Sequence, residues 1–546
     1  MVENEKSQKL VKNALPIFLL IACIWFFTTV VTRHAPEWDN MEELVWASSF
    51  ELGYQKHPPL PSWIIYPLTM LIGKVLWLPF ALGYLSVLFS QLIVFDLYKK
   101  ICKQSNQLIP SYAPLVFVLT GSTIIYYTTR GGDYNHNSVQ LWSIAAMFNF
   151  YYSSWVQERK INFETSNKKN YFLYWILLGL VTGLALLSKY SAIVQISVLL
   201  VHFLVDKRFQ KKSALLGMMM SIAICLLIMG PHLLWLYEQT NQGQGPLFYA
   251  RESLAESSSY GTKLFELFSG FFLTQIYRVS PIIIGIYLLI HLAQKNKDSQ
   301  LQLVEKNHLK TTWWHRFTQQ DRIFLIFFAL GPTVITLMIG ILLGQKIEAK
   351  WAVTFYLGIG FIGSFFVSDI SIVSFIKKIL WIHCLFAVGY ALIVGPGADY
   401  LGKQGRGNFP SKKLGDAINL RWQENSAFTH GQPISWIAGD TWIIGNVIIN
   451  DPVSKGRKIK AWIDANDLES PWLMPSDRKK PLLILMDHAP TPAGQWWRGG
   501  HPPSAKVMEL FEKAPVKGIV SVPWTSKKDA PPLQVEWAIL PSVEEN

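Results

Sequence analysis

The chain has 546 residues, of which 50% are hydrophobic and only 16% charged, with a formal net charge of +13. About a quarter of an ordinary soluble domain is charged, and the apolar residues here gather in repeated runs of about 20, long enough to cross a bilayer core as helices. That composition excludes a single soluble globular domain and defines a polytopic α-helical membrane protein; the basic excess excludes a nucleic-acid surface too, because it lies in short loops between apolar runs while the last third of the chain is nearly balanced.

Lys6, Lys9 and Lys12 place the N-terminus in the cytoplasm. The first apolar run, Ala14 to Thr32, has no small-residue cleavage site and reads as a retained anchor rather than a signal peptide. It exits near Arg33, so the loop 33–61 (RHAPEWDNMEELVWASSFELGYQKHPPLP) lies outside the cytoplasm. Trp63 to Ile72 is short and reads as an interfacial segment. Further crossings are predicted over Leu76–Tyr98, Tyr112–Thr128, Ser138–Trp155, Tyr171–Leu187, Ser191–Val205, Ala214–Leu236, Phe268–Ala293 and Ile323–Leu343. A tenth returns near Asp369, and an eleventh runs over Leu380–Val394. About eleven spans put the basic clusters at Lys99–Lys103, Lys168–Lys169, Lys207–Lys212 and Lys377–Lys378 on one side.

Residues 1–398 are thereby a transmembrane domain, and 399–546 a small α/β extracytoplasmic domain. In that tail, Ile434–Ala438 and Pro481–Met486 read as strands and Met508–Ala514 as a helix. The four cysteines, Cys23, Cys102, Cys225 and Cys384, lie in or beside apolar spans, far apart, with neither zinc spacing nor a disulfide framework.

The chemistry-bearing residues cluster at the predicted outer ends of spans. Asp39, in the first outer loop, is a general-base candidate; its alternative role is to cap a short helix starting at Asn40. Asp133 lies in Arg130-Gly-Gly-Asp133-Tyr-Asn-His136-Asn, a run rich in groups that bind sugar hydroxyls, and it too has a capping alternative. Lys56 and His57 precede Pro58-Pro59-Leu60-Pro61, whose prolines stiffen the turn that presents them to a lipid phosphate. Lys189, Lys346 and Lys350 are cations at outer turns, where few are expected, and suit an anionic leaving group; Arg251 and Arg278 belong to the same region. No P-loop, GxGxxG, HExxH or GxSxG occurs, so no nucleotide cofactor is expected. His34, His57 and His136 are compatible with a divalent metal beside an acid, but their spacing does not demand one.

From Glu37-Trp-Asp39 through His57-Pro-Pro-Leu-Pro61, the chain resembles the bacterial protein O-mannosyltransferase-like group of the C-type glycosyltransferase (GT-C) superfamily, which includes the lipid A aminoarabinose transferases. The likeness continues at Asp133, Leu187-Ser188-Lys189, Ala349-Lys350-Trp351 and, in the tail, Ala438-Gly-Asp-Thr-Trp and Ser470-Pro-Trp. The resemblance implies a GT-C-like fold with an extracytoplasmic site in a bacterial inner membrane. It implies an undecaprenyl-phosphate-sugar donor and inverting transfer to lipid A, another envelope glycan or a protein. Asp39 would be the base, Asp133 the second acid, and His57 or the adjacent Lys56 the phosphate ligand. The alternative is a transporter or flippase of lipid-linked sugars, whose mark is ionisable residues in mid-span. A non-enzymatic scaffold is a further reading.

Overall fold

The computed structural model describes residues 14–543 apart from 106–108, 122–131, 161–167, 247–259, 278, 281–282, 286, 288–311, 345–346, 348, 366–370, 402–403, 489–499, 501 and 525–530. Among the described residues six helices are long and apolar enough to cross a membrane. They are α1 (Ala14–Thr32), α4 (Trp77–Lys103), α7 (Lys168–Ser188), α9 (Lys212–Asn241), α10 (Gln319–Leu343) and α11 (Ile372–Val394). Shorter helices fill the spaces between: α2 (Trp38–Trp46), α3 (Leu60–Ile72), α5 (Ala113–Leu119) and α8 (Ala192–Val205).

The helix α6 (His136–Lys160) is as long as a span but too polar to register as one. Gln140, Ser143, Asn149, Ser153, Ser154 and Glu158 on it are all buried. It is tolerated because α6 faces protein, packed among α4, α7 and α8, and its polar groups are bonded there. Asn149 donates to the Ile93 carbonyl at 3.0 Å and accepts from Lys100 Nζ at 2.6 Å. Glu158 takes two bonds from the fully buried Arg208, at 2.7 and 3.0 Å.

The expected count of about eleven spans differs from the six found for local reasons. The predicted third span contains only α5 before residues 122–131, which lie outside the described residues. The predicted sixth is the 14-residue α8. Much of the eighth lies outside the described residues. Near the tenth, Ala349–Thr354 and Ile359–Phe365 are 3-10 turns rather than one long helix. Lys377 and Lys378 stand inside α11, which starts at Ile372, and not in a loop before it.

The tail carries a five-stranded mixed sheet, order β2-β1-β3-β5-β4. The strands are β1 (Trp436–Gly439), β2 (Lys460–Ile463), β3 (Leu482–Asp487), β4 (Val516–Val522) and β5 (Leu533–Leu540). β1 pairs in parallel with β2 and β3, and β5 runs antiparallel to β3 and β4. Alternate residues face opposite layers. Trp436, Ala438, Leu482 and Ile484 pack with Val507 and Leu510 of the helix α14 (Ala505–Lys513). Ile437, Leu483 and Leu485 pack with Leu414 and Ile418 of α12 (Ser411–Glu424), and with Trp442, Ile443 and Val447 of α13 (Thr441–Ile448).

The second of these layers continues into the membrane part. Ala35, Met41, Val45, Trp46 and Tyr54 of the first loop are buried in the same core as α12 and α13. Trp38 stacks on Trp442, centroids 6.1 Å apart and planes within 4°. The Arg406 guanidinium lies over both rings, at 4.5 and 5.5 Å. At the closest approach of α2 and α13, a Cβ on Gly445 would stand 2.3 Å from Met41 Sδ and 3.3 Å from Val45 Cγ2. Gly445→Leu therefore forces the two helices apart. It is expected to lower the unfolding temperature of the detergent-purified protein and to open residues 399–460 to limited proteolysis.

Candidate active site at the end of the helical bundle

The site is built on α2, which is only nine residues long. A helix of that length is marginal alone and depends on tertiary contacts. Its residues from Asn40 to Trp46 are all buried, and each of its sides meets a different partner.

Asn40, fully buried, faces the segment that carries Asp133. Its amide donates to the Gly132 carbonyl at 2.7 Å, and its carbonyl oxygen accepts from the Tyr134 N–H at 2.6 Å. Tyr134 in turn donates its hydroxyl to the Pro61 carbonyl at 2.7 Å. Residues 132–134 are thus fastened to both ends of the first loop's functional stretch. Gly132 also packs against Thr29 of α1, where a Cβ would sit 3.0 Å from its methyl group. The glycine serves helix packing here.

Asp39 stands one residue before Asn40, in the first turn of α2, half-buried. Its Oδ2 accepts from the Asn135 amide at 2.8 Å. The Asn135 carbonyl oxygen meanwhile caps α6, accepting from the N–H groups of Asn137 (2.8 Å) and Ser138 (3.2 Å). Neither acid is the helix cap: Asn135 takes that role at α6. Asp133 instead lies in the electrostatic reach of Arg33. Arg33 is ion-paired with Glu37 and donates to the Tyr390 hydroxyl at 2.9 Å.

The basic side chains divide into two groups. Lys56 Nζ is bonded to the Glu42 carboxylate at 3.0 Å. Burial raises the Glu42 carboxyl above the usual range, and Lys56 pulls it back. Glu469, from the tail, is raised by burial and pulled back by Lys56 as well. His57 belongs to the second group. Its ring lies 4.0 Å, centroid to centroid, from that of His136, the first residue of α6. His136 contacts the Asn137 amide at 3.2 Å, and Asn137 Oδ1 accepts from Lys189 Nζ at 2.6 Å. The turn between α7 and α8 thus delivers Lys189 to the start of α6, beside His57. A helix N-terminus adds partial positive charge at the same place.

Further contacts hold the loop's far side. His232 on α9 bonds the Leu52 carbonyl at 2.7 Å through Nδ1 and Tyr190 at 2.8 Å through Nε2. Trp235 covers Gly53 so closely that a Cβ there would overlap its ring.

Asp39, Lys56, His57, Asp133 and Lys189 therefore come together at one end of the bundle. Arg251, Arg278 and Lys346 lie outside the described residues, and Lys350 falls in a 3-10 turn of which only the backbone is described. His34 is exposed, and its backbone N–H donates to the Gly407 carbonyl at 3.0 Å. Among the described residues no three His, Cys, Asp or Glu side chains gather as metal ligands. Asn40 and Glu469 are the site residues that sequence reasoning passes over. A buried Asn one position after a candidate acid is a signal only once its loop partner is known.

Residues 56–235 match the family model described as dolichyl-phosphate-mannose-protein mannosyltransferase. The match takes in Lys56, His57, Asp133 and Lys189 and leaves Asp39 outside. The chain is 24% identical over 268 residues to the lipopolysaccharide core galacturonosyltransferase RgtA of Rhizobium johnstonii, a stretch that is 47% of either protein. The chain thus spans about half the length of that curated relative. Its fold is similar over nearly its whole length to that of ArnT from Cupriavidus metallidurans. Against the apo crystal structure the TM-score is 0.54 at 11% identity, covering 98% of this chain and 99% of that one. Against the structure bound to undecaprenyl phosphate it is 0.51 at 12% identity, covering 95% and 97%. At such identities the likeness shows the fold, and the chemistry is argued from the residues.

Two outcomes follow from the geometry. Asn40→Ala strands two buried backbone groups and should cost on the order of 2 kcal/mol of stability, read by denaturant unfolding in detergent. Glu43 is buried against Ser62, whose hydroxyl donates to it at 2.6 Å; burial pushes its carboxyl up to about 8. A raised folded-state value means stability is fully present below the ordinary carboxyl range and is lost as pH rises through about 8. The unfolding temperature should therefore fall between pH 5 and pH 9 more steeply in the native protein than in Glu43→Gln.

Proposed function

We propose that the protein is a glycosyltransferase that moves a sugar from a polyprenyl-phosphate carrier, of the undecaprenyl type, to an envelope acceptor at the periplasmic face. The observation that carries this reading is the meeting of Asp39 with His57, His136 and Lys189 at the end of the bundle, on loops that Asn40 and Asn135 tie together. An acid stands beside a basic cluster where a lipid phosphate at the membrane surface can reach both.

Asp39 acts as the base. Its half-exposed carboxylate, oriented by the Asn135 amide, takes the proton of an acceptor hydroxyl as that oxygen attacks the anomeric carbon. The bond from anomeric carbon to phosphate oxygen breaks on the opposite face, giving inversion. The departing polyprenyl phosphate meets Lys189, the His57–His136 pair and the N-terminus of α6, which stabilise its charge. Lys56 is already neutralised by Glu42, so its part is to hold the turn that presents His57. Asp133, facing Arg33, orients substrate. No nucleotide cofactor enters these steps.

The acceptor proposed is a lipopolysaccharide component, lipid A or core glycan, with other glycans or proteins as alternatives. The curated relative acts, by its name, on the lipopolysaccharide core. In the bilayer the N-terminus would be cytoplasmic and the tail periplasmic. Asp39→Asn keeps size and hydrogen bonding while removing the base. It should fold normally and lose about 100-fold or more in transfer from a polyprenyl-phosphate-sugar pool, measured by mass spectrometry of acceptor glycolipids. Full activity in this variant would refute the assignment, and retained lipid-linked sugar translocation without transfer would favour a flippase.

A further inference from the structure

The loop 452–458 (PVSKGRK) joins α13 to β2 and reaches down to the point where a span enters the membrane. The Lys74 N–H donates to the Lys455 carbonyl at 2.9 Å, three residues before α4 begins at Trp77. Arg457 Nη1 donates to the Leu71 carbonyl, at the end of α3, at 3.2 Å. Gly73 lies so close that a Cβ on it would be 2.6 Å from Lys455 Cβ. The tail loop is therefore held at the level of the α3–α4 turn.

Its own shape is fixed. Lys455 and Gly456 are consecutive left-handed residues, with φ of 52° and 72°. The Asp451 carboxylate accepts from the Ser454 N–H at 2.7 Å and its hydroxyl at 2.6 Å, and from the Val453 and Gly456 N–H groups at 3.3 and 3.4 Å. This frame displays Lys455, Arg457 and Lys458 to solvent. None of the three is in an ion pair among the described residues. Beside them stand exposed apolar side chains: Val453 at 70%, Leu71 at 74%, Met70 at 49% and Trp77 at 44%. That apolar surface is continuous with the start of a span, and a tryptophan at such a place marks the headgroup level.

We infer that the 452–458 loop and the end of α3 form one membrane-docking surface for anionic phospholipid headgroups. Val453, Met70 and Leu71 enter the apolar boundary, and Lys455, Arg457 and Lys458 meet the lipid phosphates. Unpaired cations beside apolar side chains, fixed at a span's entry point, match an anionic bilayer surface in charge and in depth. Docking there fastens the tail to the bilayer as well as to α2, whether or not the protein is a transferase.

The test uses the full chain in nanodiscs, with the native cysteines replaced and Val453→Cys carrying an environment-sensitive fluorophore. Monodisperse elution establishes that each variant is folded. In discs containing phosphatidylglycerol the emission should shift to the blue, with at least twofold stronger quenching by headgroup-proximal spin-labelled lipid than in phosphatidylcholine discs. High salt, or the triple variant Lys455→Gln, Arg457→Gln, Lys458→Gln, should abolish the difference. Equal water exposure of the fluorophore in both disc types would overturn the inference. So would a lipid-dependent difference that persists in the triple variant, or a shift produced by purified lipid A in neutral discs but not by phosphatidylglycerol.

Discussion

A nine-residue helix that cannot stand alone holds the candidate site together. Trp38, Met41 and Val45 of α2 pack into the tail; Leu44, with Ala47 just beyond its end, packs into the bundle. Asn40 and Glu43 bond residues 132–134 and Ser62, and Asp39 and Glu42 face Asn135 and Lys56. Helical spacing makes this division possible, because residues three and four apart share a side. Each partner holds α2 from a different direction, and together they aim Asp39. The tail is part of that clamp: Gly445 and Trp442 close on the side of α2 opposite the bundle.

The environment of each charge decides its part. Three acids within five residues are given three different settings. Glu43 is sealed against Ser62 and raised to about 8; Glu42 is buried but ion-paired with Lys56; Asp39 keeps partial exposure and a neutral amide partner. Of the three, Asp39 alone is neither buried nor ion-paired among the described residues. On the cationic side, Lys56 is satisfied within the loop, while His57, His136 and Lys189 collect at the head of α6. A polar helix buried at the centre of a membrane bundle carries this arrangement. Its distant end is anchored by the Arg208–Glu158 pair, whose separation would leave a charge buried alone.

Much of the scaffold was legible in the amino-acid pattern. Ala14–Thr32 matched a span residue for residue, and β1, β3 and α14 fell within a few positions of their predicted places. Asp39, His57, Asp133 and Lys189 were recognisable as a set because cations and acids at the ends of apolar runs stand out against lipid-facing sequence. The span count was less legible: the helix predicted over Ser138–Trp155 is present as α6 but is too polar to count as a span, the predicted sixth is only the 14-residue α8, and the chain near the predicted tenth breaks into 3-10 turns. β4 and β5 were missed because Lys517, Ser521, Gln534 and Glu536 dilute their apolar faces. Asn40 was invisible as a site residue, and Asn135, read only as one of a run of sugar-binding groups, gave no sign of its bond to Asp39, because both bonds span more than 90 positions of sequence.

The central claim is that this constellation transfers a sugar from a lipid phosphate to an envelope glycolipid. Mass spectrometry of lipid A, core glycans and the polyprenyl-phosphate pool, in otherwise identical cells with and without the protein, tests it most directly. The account predicts that one sugar mass disappears from an acceptor while the matching lipid-linked donor accumulates. Unchanged acceptor masses together with an unchanged donor pool, in cells shown to make both, would contradict it.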